Sequence, residues 1–422
     1  MIDPNDRVFL VSLFDAAVAA ADPEQILGQY LPSLPKGKTV VVGAGKGAAQ
    51  MAAAFEKSWK GEFSGVVVTR YGYAAPCKKI KVLEAAHPVP DQAGIKASQQ
   101  LLSAVKDLTQ DDLVIALVCG GGSALLPAPP DGLTLKDEAA LNDALLASGA
   151  PISAMNTIRK QLSMIKGGRL AQAAHPAKVV SLIVSDIPGD NPAMVASGPT
   201  VPDDTTLQDA LDAIEAYGIE LPEQIMDYLQ NSESVCPTPD HPAFHQDEVH
   251  IVASARLSLN AAAKMSEKAG ITPIILSDAI EGEAKEVGKV LAAIARQVHE
   301  TDHPFQKPCV LLSGGETTVT IKHQGGRGGR NTELLLSAAL ELDGQNCVTV
   351  LTADTDGIDG SEDNAGAFAD GTTAKRIREA GSDPKALLAK HDAWSAFQSI
   401  DDLFVCGPTG TNVNDFRAFL IR

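Results

Sequence analysis

Apolar runs that stop abruptly in glycine and polar residues recur along the chain. Thr39–Val42 leads into Gly43-Ala-Gly45-Lys46-Gly47, Leu113–Val118 into Cys119-Gly-Gly-Gly-Ser123, and Val179–Val184 into Ser185-Asp186-Ile-Pro-Gly189-Asp190. Further on, Cys309–Leu312 leads into Ser313-Gly314-Gly315-Glu316, and Val348–Leu351 into Thr352-Ala-Asp354-Thr-Asp356-Gly357. Short apolar runs bounded in this way predict strands. Between strand signals lie Ala- and Leu-rich helical stretches, Gly47–Trp59, Ala93–Leu108, Asp137–Leu146 and Leu257–Ala269, so the pattern predicts βαβ units, mostly parallel sheets flanked by helices, and an α/β class. In open sheets of that class ligands sit outside the carboxyl ends of the strands, so the five polar turns predict one large polar site.

Residues 231–248 break the rhythm with a polar, proline-rich stretch that suits a linker. A cut near residue 240 gives a Rossmann-like domain over 1–240 and a second α/β domain over 241–422. Residues 7–21 read as an amphipathic helix with a packing role.

Composition narrows the function. The 422 residues carry 35 Lys plus Arg against 53 Asp plus Glu, a net charge of −18, which opposes adhesion to nucleic acid or anionic membrane. Six cysteines show neither CxxC nor zinc-ligand spacing, which suits a reducing cytoplasm. The N-terminus lacks a basic signal-peptide region, and its apolar stretch is interrupted by Asp15, so no membrane span is expected.

The turns differ in chemistry. Gly43-Ala-Gly45-Lys46-Gly47-Ala48 nominally fits a dinucleotide fingerprint, but the next strand, Gly65–Val68, ends in Thr69-Arg70 and not in an acid for the ribose. Arg70 leaves a 2′-phosphate open; the alternatives are an anion received by the turn amides and Lys46, or a plain turn. The run Cys119–Leu125 is no hydrolase elbow, because Leu125 stands where GxSxG needs glycine. Its glycines permit close ligand approach, and a helix from about Ser123 would aim amides at an anion. Asn156–Arg169 gathers Arg159, Lys160, Lys166 and Arg169, either a solvated basic face or an anion site. Asp186, Asp190, Asp354, Asp356 and Asp359 follow strands, where aspartates ligate Mg²⁺ or cap turns. Gly325–Glu333 surrounds Arg327 and Arg330 with glycines, as a loop would that places arginine on a phosphoryl group. His87, in a proline-rich turn, reads as structural.

Together these motifs resemble the glycerate 2-kinase family, whose C-terminal region is the MOFRL domain. The likeness runs over nearly the whole chain and is most specific in Ser-Asp-Ile-Pro-Gly-Asp (185–190), Ile-Lys-Gly-Gly-Arg-Leu (165–170) and Gly-Gly-Arg-Gly-Gly-Arg-Asn (325–331). It implies ATP-dependent phosphorylation of D-glycerate at the 2-hydroxyl with a divalent metal, in a cleft between two α/β domains. The family's motif lysine falls on Lys46 and its glycine-loop arginine on Arg327. Cys119 and Gln161 depart from the serine and histidine expected there.

On that resemblance Lys46 and Arg327 neutralise the γ-phosphate, and Gly43, Gly45, Gly314, Gly315, Glu316 and Gly326 serve the nucleotide, ATP. Gly121, Gly122 and Ser123 meet the glycerate carboxylate with Arg159 or Lys160 nearby. Asp186 or Asp190 orients the hydroxyl, and Asp186, Asp354 or Asp356 holds Mg²⁺. Partners are small molecules, with a homodimer left open. Two rivals stand: an NAD(P)H-dependent hydroxypyruvate reductase, a label some family members carry with tartrate degradation, and a phosphosugar-sensing module.

Overall fold

Valine- and leucine-rich runs fold into the centre of a six-stranded sheet. The computed structural model describes residues 2–231, 236–321, 326–345 and 347–422. Strands β1 (Thr39–Ala44), β2 (Phe63–Arg70), β3 (Ile80–Ala85), β4 (Leu113–Cys119), β5 (Lys178–Val184) and β6 (Glu248–Ala253) lie in the order β3-β2-β1-β4-β5-β6. Pairing is parallel from β3 through β5. Every residue of β1 and β4 is buried, which is why their runs show no alternation. Val42, Val68, Val118 and Ile183 share a core with Leu101 of the helix Gln92–Ala104. The strand order reverses between β1 and β4, the point at which a doubly wound sheet opens a crevice.

The other sheet uses β7 (Thr272–Ser277), β9 (Cys309–Ser313), β11 (Val348–Asp354), β12 (Gly366–Asp370), β13 (Leu403–Phe404) and β14 (Asp415–Ile421), in the order β13-β12-β11-β14-β9-β7; β8 (Gly282–Glu283) and β10 (Thr317–Thr318) form a small parallel pair. The parallel pairing expected here holds between β7 and β9, whereas β14 runs antiparallel to β9 and β11, and β12 antiparallel to β11 and β13. The reason is connectivity. β11 reaches β12 through residues 355–365 without a helix, and antiparallel neighbours need no crossover helix. Because β14 opposes both neighbours, the carboxyl ends of β9 and β11 and the start of β14 share one edge.

The chain divides into a first unit, Pro23–Val252, and a second, Met1–Asp22 with Ala253–Arg422. The chain therefore passes from one unit to the other at 22/23 and at 252/253, and not near residue 240. Strand β6 still belongs to the first sheet, and in the expected linker Cys236 is buried and Phe244 packs on the first core; residues 232–235 lie outside the described residues. The first helix, Pro4–Ala19, capped by Asp3, belongs to the second unit. There Phe14 meets Phe404 and Phe416 edge to face, and Arg422 donates to Asp6 Oδ1. No helix among the described residues is long and apolar enough to cross a membrane.

Candidate active site

Two glycine turns meet at the reversal point of the first sheet, and their amides are used differently. In the turn after β1, Gly45 N donates to Val68 O (3.1 Å), Lys46 N to Gly120 O (2.9 Å), Gly47 N to Cys119 Sγ (3.1 Å) and Ala48 N to Gly45 O (3.2 Å). The expectation that these amides receive a phosphate is thereby corrected: Gly43 and Gly45 serve packing. A Cβ at Gly43 would strike Leu117 O, and one at Gly45, where φ is +135°, would strike Cys119 O. The turn presents its lysine side chain alone.

In the turn after β4, the amides of Gly121 (φ 78°), Gly122 and Ser123 donate to no protein acceptor among the described residues. The helix behind them is one turn, Gly122–Leu125, so the free amides themselves carry the attraction for an anion.

Side chains from three strands converge on this second turn. A Cβ at Gly121 would lie 2.9 Å from His87 Nε2 and 3.1 Å from Lys46 Cγ. Burial first, then the charges of Lys46 and Arg70, lower the His87 pKa to about 4, so the imidazole is neutral at pH 7. Neither Lys46 nor Arg70 has a carboxylate within ion-pair distance among the described residues. The Asp186 carboxylate, just past β5, packs on Gly120, where any Cβ would overlap it. Burial above all pushes the Cys119 thiol up to about 12, and the nearby Asp186 charge adds to it, so this cysteine is no nucleophile.

Ser123 Oγ lies 2.9 Å from Ser197 Oγ, which donates to Asn156 Oδ1 at 3.3 Å. Arg159 reaches the same Asn156 oxygen (3.5 Å) and Asn142 Oδ1 (2.8 Å). Arg159 is thus tied to the glycine turn, whereas Lys160 is not. Adjacent helical residues point about 100° apart, and Lys160 is buried in an ion pair with Asp203, which removes it from substrate binding. Lys166 pairs with Glu138 (2.8 Å), and Arg169 donates to Lys160 O (2.8 Å) and Cys236 Sγ (2.7 Å), so most of the basic stretch is internal scaffold. Asp190 sits half-buried on the turn Pro188–Asp190 with φ 53°, and no contact joins its carboxylate to the other candidates among the described residues.

At the shared edge of the second sheet the organising group is Arg330, the first residue of the helix Arg330–Glu341. Its Nε donates to Asp415 Oδ1 (2.7 Å), Nη2 to Asp354 Oδ2 (2.7 Å) and Nη1 to Glu316 Oε1 (2.9 Å). Burial opposes its charge, but these carboxylates outweigh burial and raise its pKa above the ordinary arginine value. Burial and then the Asp356 charge push Asp354 well above the carboxylate range, against Arg330. Asp356 accepts from Ile358 N (2.9 Å), and Asp359 accepts from the amides of Asn331 and Thr332, which makes Asp359 a helix cap. Arg417, wholly buried in β14, donates to Asp415 and Gly314 O. Among the described residues no three Asp, Glu, His or Cys side chains form a metal-holding group, and Arg330 occupies the centre of the acidic cluster.

Arg327 lies elsewhere in the second unit. Its side chain is 53% exposed, pairs with Glu362 and stacks with Cζ 3.5 Å over the Trp394 ring. The loop is docked through Gly326 N to Lys390 O (2.7 Å), Arg327 N to Asp392 Oδ1 (3.0 Å) and Trp394 N to Arg327 O (3.0 Å). A Cβ at Gly326 would collide with Asp392, so that glycine answers a protein contact; Gly325 lies outside the described residues. The Gly314 amide is likewise used, on Ser277 O (2.9 Å), which corrects Gly314 and Gly326 as amide donors to a nucleotide. The Gly315 and Glu316 amides have no protein acceptor among the described residues.

Residues 9–230 match the model of a domain of unknown function, DUF4147, and residues 309–415 match the MOFRL family. A D-glycerate 2-kinase of Thermotoga maritima is 39% identical, covering 100% of both chains. The crystal structure of a glycerate kinase from the same organism superposes with a TM-score of 0.91 at 37% identity, again over 100% of each chain. The chain belongs to the glycerate 2-kinase family. A relative from Agrobacterium vitis, 52% identical over 99% of this chain and 95% of its own, carries the name of a hydroxypyruvate reductase.

In this glycerate 2-kinase family chain the DUF4147 match contains Lys46, Arg70, His87, Gly121–Ser123, Arg159 and Asp186, and the MOFRL match contains Arg327, Arg330, Asp354 and Asp356. Sequence reasoning passed over Arg330 as a site residue, weighed Arg70 only for a dinucleotide, and read His87 as a turn residue. The signal for Arg330 was present: it is the second guanidinium of the glycine-rich run, directly before the helix.

Proposed function

We propose that this protein transfers a phosphoryl group from ATP to the 2-hydroxyl of D-glycerate, giving 2-phospho-D-glycerate and ADP. The crevice of the first unit carries this reading: two cations without an ion-paired carboxylate and three amides without a protein acceptor among the described residues, with one aspartate, at the reversal point of the sheet. Phosphoryl transfer asks for positioning and charge neutralisation more than covalent chemistry, and the chain has no GxxxxGK[ST] loop.

In this mechanism the carboxylate of glycerate lies against the Gly121, Gly122 and Ser123 amides, while the Ser123–Ser197–Asn156–Arg159 chain holds that turn in place. Asp186 orients the 2-hydroxyl and takes its proton. Lys46 and Arg327 meet the charge of the transferring group, and Gly315 and Glu316 serve the ATP phosphates. Mg²⁺ would be held by Asp354 and Asp356, or by Asp186, and would supply neutralisation of phosphate charge. The donor set fits such a cation. Asp354, Asp415 and Glu316 bond Arg330, Asp415 also bonds Arg417, and the Asp356 charge bears on Asp354, so carboxyl groups outnumber guanidinium groups at this edge. Mg²⁺ also asks for only one or two protein carboxylates.

The reductase reading has the Agrobacterium vitis name behind it. Against it, the amides of the nominal fingerprint are already bonded within the protein, and β2 ends in Thr69-Arg70 without a ribose acid. We assign the enzyme to a reducing cytoplasm, on cysteines that are all unpaired; a homodimer is compatible with this reading. The deciding assay couples ADP release to a readout with D-glycerate and Mg²⁺-ATP, beside hydroxypyruvate with NADH or NADPH. NMR of the product should place phosphorus on the second carbon. Reductase turnover without ADP overturns the proposal, and silence in both assays favours a sensor.

A further inference from the structure

Arg70 closes β2 beside the crevice and is assigned no role by the family resemblance or by the relatives' names. Its Nε is buried with no hydrogen-bond partner among the described residues, an expensive state for a guanidinium donor unless a ligand completes it. The guanidinium sits over Tyr73, with Cζ 3.5 Å from the ring centroid, and Tyr73 is fixed in turn by its amide on Arg70 O (3.1 Å) and by Gln50 Nε2 on Tyr73 O (3.3 Å). Stacking of this kind holds the plane of the fork without using its N–H groups. The charge also bears on His87, whose Nε2 borders Gly121, so Arg70, Lys46 and the free amides address one locality.

The two cations differ in form. A guanidinium presents parallel donors that match a carboxylate edge, whereas an ammonium acts as a point charge. We infer that Arg70 is the group that selects the carboxylate of the acceptor: its fork, held over Tyr73, pairs with the carboxylate lying against the Gly121–Ser123 amides and leaves Lys46 to the phosphoryl group. Neutral His87, which feels both cations, adds no positive charge to the locality. This assignment rests on the reading of the first unit as the acceptor site.

The test compares wild type with Arg70→Gln, Arg70→Lys and Tyr73→Leu, using D-glycerate and glyceramide, which has an uncharged amide in place of the carboxylate. Arg70→Gln is expected to raise KM for D-glycerate roughly ten- to a hundredfold, the loss typical of a charge-assisted paired contact, with KM for ATP within about twofold. The preference for D-glycerate over glyceramide should shrink by the same factor. Arg70→Lys should recover part of the loss, and Tyr73→Leu should lose a smaller part. A general packing defect would lower turnover of both acceptors alike, and that result overturns the assignment, as does a rise confined to KM for ATP. If wild type does not phosphorylate D-glycerate at all, the kinase reading falls, and calorimetric titration decides Arg70 separately. Loss of D-glycerate binding in Arg70→Gln with inorganic phosphate binding kept upholds it. Loss of phosphate binding alone, or no binding of D-glycerate to wild type, overturns it.

Discussion

The two polar clusters hold positive charge in opposite ways. In the first unit Lys46 and Arg70 stand without an ion-paired carboxylate, beside three amides without protein acceptors, among the described residues. In the second, Arg330 is gripped by Asp354, Asp415 and Glu316, and Arg417 by Asp415. An unpaired cation destabilises the empty protein a little and is available in full to an incoming anion. A paired one is structural first, and gains a chemical role only where the carboxylates around it have charge to spare. Removing a cation should therefore cost turnover in the first cluster and stability in the second.

Lys46→Ala gives the largest expected effect. Turnover should drop roughly 10²- to 10³-fold, as when a group aimed at transition-state charge is lost, while the thermal midpoint stays at or slightly above wild type. A melting temperature that falls along with activity would break the contrast. Arg330→Gln is its counterpart. It leaves buried Asp354 and Asp415 facing one another without their shared cation, and should cost about 3 kcal/mol or more of stability, read as a lower urea midpoint at unchanged slope. Wild-type stability in that variant would place the paired cluster in the same class as the unpaired one.

How far the contrast was legible depends on what carries each element. Strands β1, β4 and, after its first residue, β5 announce themselves because burial on both faces leaves nearly continuous apolar runs. Strand β12, Gly-Ala-Phe-Ala-Asp, is equally buried but built of small residues, and β14 carries Arg417 at its centre, so neither reads as a core strand and the antiparallel half of the second sheet goes unannounced. The amphipathic period of the first helix is visible in the sequence, but its partner, the helix Ala255–Lys268, lies far along the chain. Site residues divide the same way. Glycine turns mark where chain and ligand can approach, but whether an amide is free depends on neighbours such as Val68 O and Cys119 Sγ, which sequence does not order. Lys160 and Arg159 are adjacent cations, and only the fold separates the one buried on Asp203 from the one beside Asn156.

Arg327 sharpens the contrast because it is paired yet exposed. Its side chain is 53% exposed although Trp394 beneath it is buried, and an ion pair held by so exposed a guanidinium contributes little to stability. Arg327→Ala should accordingly leave the melting temperature near wild type and lower turnover by roughly tenfold or more if the guanidinium meets transition-state charge. Glu362→Gln keeps the arginine and removes its surface partner, so its turnover should stay within about threefold of wild type. Equal losses in the two variants would mean that the ion pair, and not the free guanidinium, is what matters.

The smallest effect concerns protons. His87 has a folded pKa of about 4 against an ordinary value of 6.5, set by burial and then by Lys46 and Arg70. A histidine with a lowered pKa binds fewer protons folded than unfolded, so its neutral form supports the fold fully above pH 6.5, and that support is lost as pH falls through 6.5 towards 4. Turnover should show no histidine limb near pH 6.5, because the imidazole is already neutral on both sides of it. Removing a neighbouring cation relaxes the shift: in Lys46→Ala the His87 ring should titrate closer to 6.5, followed by its imidazole proton resonances, and the acid loss of stability should begin at the same pH but be shallower. If the ring titrates at the same pH in wild type and Lys46→Ala, the two side chains do not share the crevice, and the cationic character assigned to the first cluster fails with them.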